Sequence, residues 1–558
     1  MARPLESEQL ARYAEAKSAR APFEPDWKIA AANVWPVQYS MWQSDTPSAI
    51  RAPDSTLRRT QFDTTGARSL PKYMAILERL LTPQGQRWHG LQPTDKSLLK
   101  SYRVRSYFDS LTDLLFTMRY NPRSQFIRAS TEVYASLGTY GTGPLFVGSR
   151  APNALYKGKA FKYRARFMRD IFILENADGE IDTVFFRFWY NVRQFKQMWP
   201  NEPMPKQMAA EAAKPTPSDT TYWEFIHIVQ PRTDHDAEAF DARRFPFVSS
   251  YMCVLDQTYV GKEEGYRSMP YLTPRVSTSS GSVYGTSPAM RVIAAMGGAN
   301  TMKKTNLKQG NLAVDPVILA HDDGILNGEV GLKPGFVNYG GVNRDGKKLI
   351  TTLDTASNFR VGEVLLQDER SDIEDAFFVT LFQILQETPE MTATEVIERV
   401  AERASLLSPT MGSLQSEFAG PNIEREIDLL DEMHLLPEMP PELVEAQGAY
   451  EVVYTSPLAK GMYMEEVSGF ARSVEMANTV VAATQDPSHL DHFDFDVALP
   501  EIANYMGAQT RWMTSPEKLE AKRGQRQQQT EQQQLMQNAP ALASAAKTAA
   551  EMTGGAPA

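Results

Sequence analysis

The stretch from Ser287 to Leu385 constrains the fold most, because two helical patterns enclose a glycine-rich one. The first helix is announced by Ser287-Pro288, a hydroxyl that can cap the first turn followed by a proline at the first helical position. It runs through MRVIAAMGGANTMKKTNLKQ to Gly310. Pro316, Gly324, Gly331, Pro334, Gly335, Gly340, Gly341 and Gly346 then punctuate short apolar runs, which is the chemistry of strands and turns. A second helix is predicted from Val361 to Leu385. This order predicts a rod of two helices with a small β head at one end.

The chain has 558 residues, room for two to four domains, and is 42% hydrophobic, enough to build real cores. Its formal net charge of −10 excludes a protein that coats nucleic acid through overall basic charge. A protein that lets nucleic acid pass without gripping it is still allowed. The single cysteine, Cys253 in SSYMCVL, excludes a disulfide framework and a cysteine zinc site, and reads as a small buried apolar residue. The N-terminal MARPLESEQLARYAEAKSAR is charged and lacks the apolar core of a signal peptide. No run approaches the ~18 apolar residues of a membrane span. A soluble protein, intracellular or assembled into a particle, is expected.

Upstream, a charged amphipathic helix is predicted over residues 5–32, closed by Trp35-Pro36. Ala67, Leu70, Met74, Leu77 and Leu81 recur at three and four and predict a helix from Asp63 to Leu81. Two more are predicted from Leu98 to Tyr120 and from Ser124 to Gly138. Then the period changes to two. PLFVGS, ALYKGKAFKYRAR, DIFILENADGEIDTVFFRFW, TYWEFIHIVQPR and FPFVSSYMCVLDQTYVG alternate and are rich in aromatic and β-branched residues, with a hairpin signal at Ala177-Asp178-Gly179-Glu180. Residues 200–219 read as a polar, proline-rich connection. The class expected is α+β, mostly helical.

Downstream of the central stretch, Thr392-Ala393-Thr394-Glu395 is a capping box opening a helix to Leu407. A helix starting at Gly412 carries Pro421 inside it and is expected to kink there. YEVVY at Tyr450 to Tyr454 is a short strand, Lys460 to Ala483 a long helix, and Asp486 to Asp496 an acidic loop. The last 45 or so residues, rich in Gln and then Ala, are expected to be partly disordered.

No catalytic constellation emerges. Gly341 to Lys348 (GVNRDGKK) falls one residue short of a phosphate-binding loop: Lys348 stands where a Ser or Thr must hold magnesium, and the residues after it read as a strand. A hairpin turn is the expectation. Asp491, His492, Asp494 and Asp496 lack the glycine and late glutamate of a calcium loop and read as a solvated loop. The seven histidines, His89, His227, His235, His321, His434, His489 and His492, form no HExxH, and GxSxG is absent. No cofactor, no metal and no enzymatic activity are expected.

Two patterns stand out. From Gly265 to Val314 there are six basic residues, among them Arg291, Lys303, Lys304 and Lys308, and no acidic one. Either this is a solvated helix face or its cations meet phosphates without sequence preference. In the second helix Ile373, Phe377, Leu381 and Ile384 make one apolar stripe, and Phe378, Phe382 and Leu385 another. A helix apolar on two sides must be buried on two sides, either in its own core or between subunits.

With these residues assembled, the chain resembles the portal (head-to-tail connector) proteins of short-tailed, podovirus-type bacteriophages, from about Tyr13 to Lys522. The signatures are Leu80-Leu81-Thr82-Pro83 with Arg87-Trp88, the Asn176–Phe188 hairpin, Asn306-Leu307 leading to Asp315-Pro316, and Lys333-Pro334-Gly335. Met391-Thr-Ala-Thr-Glu-Val396, Leu414-Gln415-Ser416-Glu417, Ile423-Glu424-Arg425 and Tyr454 to Ala459 (YTSPLA) follow in order. The chain departs from the resemblance at Asn422 and at the Met411-Gly412-Ser413 turn.

The resemblance implies a ring of identical subunits, usually twelve, at one capsid vertex, with double-stranded DNA passing through its axial channel. It divides the chain into a wing (1–286), a first stem helix (287–310), a clip (311–360) and a second stem helix (361–386). A second wing part with the channel loop (387–449), a crown (450–510) and a tail (511–558) complete it. Expected partners are the major capsid and scaffolding proteins, the terminase large subunit and a tail adaptor, in the virion and, during assembly, the host cytoplasm. The expected DNA contacts are Arg291, Lys303, Lys304 and Lys308. The expected subunit interface is Ile373, Phe377, Phe378, Leu381 and Phe382. Two short breaks between helices, Gln386 to Glu390 and Ser405 to Ser413, are the candidate channel loops, and the favoured one is Ser405, Leu406, Leu407, Ser408, Pro409, Thr410, Met411 and Gly412. Another virion component such as a tail adaptor, and a nucleotide-dependent DNA translocase, are the competing expectations.

Overall fold

The computed structural model describes residues 5–42, 60–150, 158–216, 218–315, 317–320, 337, 341–352, 359–380, 409–446, 448–454, 457–505, 513–514 and 518–530. The chain forms two units, one of Met1–Gln84 with Met118–His434, the other of Gly85–Thr117 with Leu435–Ala558. Helices and antiparallel sheets together make it α+β, as the patterning predicts.

The first unit is built on a five-stranded antiparallel meander of Ile171–Glu175, Ile181–Tyr190, Trp223–Pro231, Phe247–Cys253 and Thr258–Tyr266. The hairpin expected at Asp178-Gly179 forms, and the Asn176 side chain holds it by accepting from the N–H groups of Asp178 and Glu180. Strand alternation sorts the side chains to two faces. Phe172, Phe185, Ile226, Ile228 and Met252 face Tyr13 and Ala16 of the Glu6–Arg20 helix. Phe188, Phe225 and Cys253 join a separate core with Phe195 and Met208, so the cysteine is a buried apolar residue. Residues 206–212, expected within a polar connection, form a short helix because Met208 is buried in that core.

A second, three-stranded sheet orders Ala160–Ala165, Leu145–Arg150 and Tyr271–Leu272. Beneath it lies a buried charge cluster. Arg119 Nε donates to Glu426 Oε1 at 2.8 Å, Asn422 donates to the same oxygen at 2.7 Å, and the Tyr163 hydroxyl donates to it as well. Arg119 and Glu426 are both fully buried. Glu426 lies on Gly420–Glu432, which follows a π-helical turn, Gln415–Ala419. The wider turn stands just before Pro421, the position of the expected kink, where proline has no N–H to give the turn before it. Helix is already present at Pro409, three residues before the expected start.

In the second unit His89–Pro93 pairs antiparallel with Tyr450–Tyr454, with His89 opposite Tyr454. Val104, Phe108, Leu111 and Leu115 are buried on one face of the Tyr102–Arg119 helix, as the spacing predicts. The long helix is Pro457–Thr484, and Phe470 packs edge-on to Phe493 at 5.8 Å. The expected acidic loop instead holds a 3-10 turn, Pro487–His492, and a helix, Phe495–Tyr505. Residues 518–530 are helical, and Arg523 pairs with Asp496.

Candidate functional site

The helical pair starts where Ser287 predicts. Its Oγ accepts from Met290 N–H at 2.9 Å and donates to the Thr139 carbonyl at 2.9 Å. The cap thus starts the Pro288–Arg291 turn and ties it to the Phe126–Tyr140 helix. After a break at Val292 the helix continues over Ile293–Val314, four residues past the predicted end. Gly310 weakens a helix by about 1 kcal/mol, too little to stop one alone. The second helix is Phe359–Ala376 and breaks at Phe377-Phe378, where Phe378 has a φ of 57°. Residues 381–386 of its predicted span lie outside the described residues.

The two helices run antiparallel and close together, and glycine is the reason. A Cβ on Gly298 would lie 3.2 Å from Glu369 Oε1, and one on Gly362 would lie 2.7 Å from Asn306 Oδ1. Gly298 is therefore level with Glu369, and Asn306 with Gly362. The pair is fastened by polar contacts to the segment before the Thr65–Leu81 helix. Asn300 Oδ1 accepts from Phe62 N–H at 2.6 Å and from Asp63 N–H at 3.1 Å. Arg370 donates twice to Asp63 Oδ2, at 2.6 and 2.9 Å. Burial pushes the Asp63 carboxyl up, but hydrogen bonds from Thr65 and Arg370 outweigh it and hold the group below the usual carboxylate range.

The basic residues lie along this pair. Arg291, Lys304 and Lys308 are exposed and Lys303 is half-buried. Among the described residues none of the four is in an ion pair, and Lys304 Nζ sits 5.6 Å from the Phe62 ring centre. The apolar stripe has a different setting. Ile373 and Phe377 are buried within the chain, and the Tyr73 ring meets Phe377 at 5.9 Å and Phe378 at 6.2 Å. Leu381 and Phe382 lie outside the described residues. So do Ser405, Leu406, Leu407 and Ser408 of the expected channel loop, while Pro409, Thr410, Met411 and Gly412 are helical and Met411 is buried.

Residues 341–348 form a turn. Asn343 N–H donates to the Lys347 carbonyl at 2.8 Å, and Val342 bridges Lys348. The strand Ile350–Thr352 follows directly, where a nucleotide loop would open a helix onto the phosphate, so the likeness to a nucleotide loop ends there. Ile318–Ala320 pairs antiparallel with Ile350–Thr352, which matches the β character expected of the insert. The fastening residues Asp63, Asn300 and Arg370 escaped sequence reasoning, since their partners lie hundreds of positions away. So did an open face of the second helix, although its acids recur at three and four from Asp368.

Likeness to known proteins extends over nearly the full length of the chain. The family described as bacteriophage head to tail connecting protein matches residues 6–513. A probable portal protein of Bordetella phage BPP-1 is 26% identical over 565 residues, spanning 97% of this chain and 94% of that protein. The portal protein of Salmonella phage epsilon15 is 24% identical over 558 residues, spanning 99% and 96%. A chain from the neck of an empty gene transfer agent particle is 12% identical, covers 74% of this chain and 99% of its own length, and has a TM-score of 0.30, too loose a likeness to build on. The chain belongs to the bacteriophage head-to-tail connecting protein family, and it is a structural protein of the phage virion.

Proposed function

We propose that the chain is one subunit of a ring of twelve at a single capsid vertex, through which double-stranded DNA is packaged and later ejected. The end-to-end match to two phage portal proteins carries this reading. In it the helical pair is the stem, the insert between the helices is the clip, and the clip meets the terminase large subunit and then the tail adaptor. Capsid and scaffolding proteins surround the wing. The Ile293–Val314 helix, about 33 Å long at 1.5 Å per residue, suits a stave of a channel crossing a capsid shell. Twelve chains at −10 each total about −120, so the bore is largely repulsive to DNA and lets it slide.

A few cations on the stem then touch phosphates weakly. Lys303, Lys304 and Lys308 are the proposed contacts. Arg291 is the weakest member of the set, because it stands near the height of the aspartates on the second helix. The chain hydrolyses nothing in this reading; the motor supplies the work. Negative-stain images of the purified protein should show rings with a central hole, and ATP hydrolysis by the isolated chain would instead favour a translocase. Charge reversal at Lys303, Lys304 and Lys308 should leave ring formation intact and reduce DNA packaging or retention. Normal packaging and retention by that triple variant would sink the DNA contacts while leaving the ring untouched.

A further inference from the structure

The Phe359–Ala376 helix is closed on one side and open on the other. Leu366, Ile373 and Phe377 are buried against its own chain. Val361, Val364 and Leu365 are 55%, 60% and 47% exposed, a cluster of aliphatic side chains in water. Asp368, Asp372 and Asp375 continue the same face at helical spacing and are exposed. Among the described residues none of these aspartates is in an ion pair. The face is thus apolar toward the insert and acidic toward the far end.

The companion helices carry the complement at matching heights. With Gly298 level with Glu369 and Asn306 with Gly362, Leu307 stands level with Val361, and Arg291 is near the height of Asp375. Leu307 is 46% exposed and Arg291 is exposed. Val361 is level with apolar Leu307, Val364 and Leu365 are level with Lys304 and Lys303, whose aliphatic stems can cover them, and the acids are level with the base. A rotation about an axis running along the helices keeps every residue at its height, and a closed ring needs two different surfaces that fit each other.

We propose that the open face of the Phe359–Ala376 helix is the seam between adjacent copies, covered by the Pro288–Arg291 and Ile293–Val314 helices of a second copy. Val361 meets Leu307, and Val364 and Leu365 meet the aliphatic stems of Lys304 and Lys303. Asp372 and Asp375 meet Arg291. This rests on the ring reading, and it moves the seam from the buried stripe of Ile373 and Phe377 to the opposite side of the same helix.

The test uses the full chain, with ring content read by sedimentation velocity and folding by circular dichroism. If wild type forms no rings, the portal reading fails. If it does, Val364→Asp with Leu365→Asp should lower the ring fraction by roughly tenfold or more while the melting transition is kept. Asp372→Arg with Asp375→Arg should dissolve rings likewise, and adding Arg291→Glu should bring them back. Rings formed equally by the aspartate-reversed chain and wild type would overturn the seam and leave the portal reading standing. A folded triple variant that stays dissociated would also overturn it, since only pairing across the seam predicts rescue.

Discussion

The five-stranded sheet and the helical pair are two regions of one unit built on opposite terms. In the inner strands of the sheet, both faces are packed from within the chain, and polar groups are enclosed there too. His227 lies buried between the hydroxyls of Tyr271 at 2.7 Å and Ser249 at 2.9 Å, with its ring stacked on Tyr251 at 4.3 Å. In the pair, Met296 and Ala299 are the buried residues of the 22-residue first helix. The polar fastenings of the pair are few, to Thr139, to Phe62 and Asp63 and to Lys72, and much of the rest meets solvent. The difference teaches where each region finds its stability: the sheet from its own fold, the helical pair in part from whatever covers its open faces.

That contrast can be broken most severely at the buried charges beside the sheets. Arg119→Met leaves Glu426 buried without its cation and should destabilise the first unit by about 3–5 kcal/mol. Chemical denaturation measures it, and a loss under about 1 kcal/mol would mean that Tyr163 and Asn422 already satisfy the carboxylate.

The next effect is a pH dependence. Burial, with the Arg166 charge behind it, pushes His227 down to about 3, so the ring is neutral in the fold. An unfolded histidine takes up a proton below about 6.5, which favours the unfolded chain as pH falls from there toward the folded value. Stability present above pH 6.5 should therefore drop by about 2 kcal/mol by pH 5. His227→Gln should flatten that slope, and parallel slopes in the two proteins would count against the neutral ring.

The smallest effect belongs to the helical pair. Asp63→Ala removes the partner of Arg370 and should cost about 1.5 kcal/mol, seen as faster amide exchange in the Phe359–Ala376 helix and not in the sheet. Because the Asp63 carboxyl is held below the usual range, its contribution is present at neutral pH and fades as pH falls through that lowered value. Equal exchange changes in both regions would show that the pair is not an independent layer.

Much of this was legible beforehand because it depends on local chemistry. Alternating aromatics made the meander, Asn176 and Gly179 made its hairpin, and Ser287 capped the helix that Ser-Pro announces. The Gly341–Lys348 turn was readable from the strand that follows it. What failed was the judgement of strength. Gly310 did not stop a helix, and Met208 made a helix out of a polar linker.

Periodicity by itself determined that the second helix carries distinct stripes, and charge by itself determined a basic island beside it. Only the tertiary structure decided which stripe is used up within the chain, because Tyr73 packs on Phe377 and Asp63 holds Arg370 from far away in sequence. A hydrophobic period says that a face must be covered, since apolar area in water is unfavourable whatever covers it. It does not say by what: the cover is a long-range partner, and that choice is made when the distant segments meet.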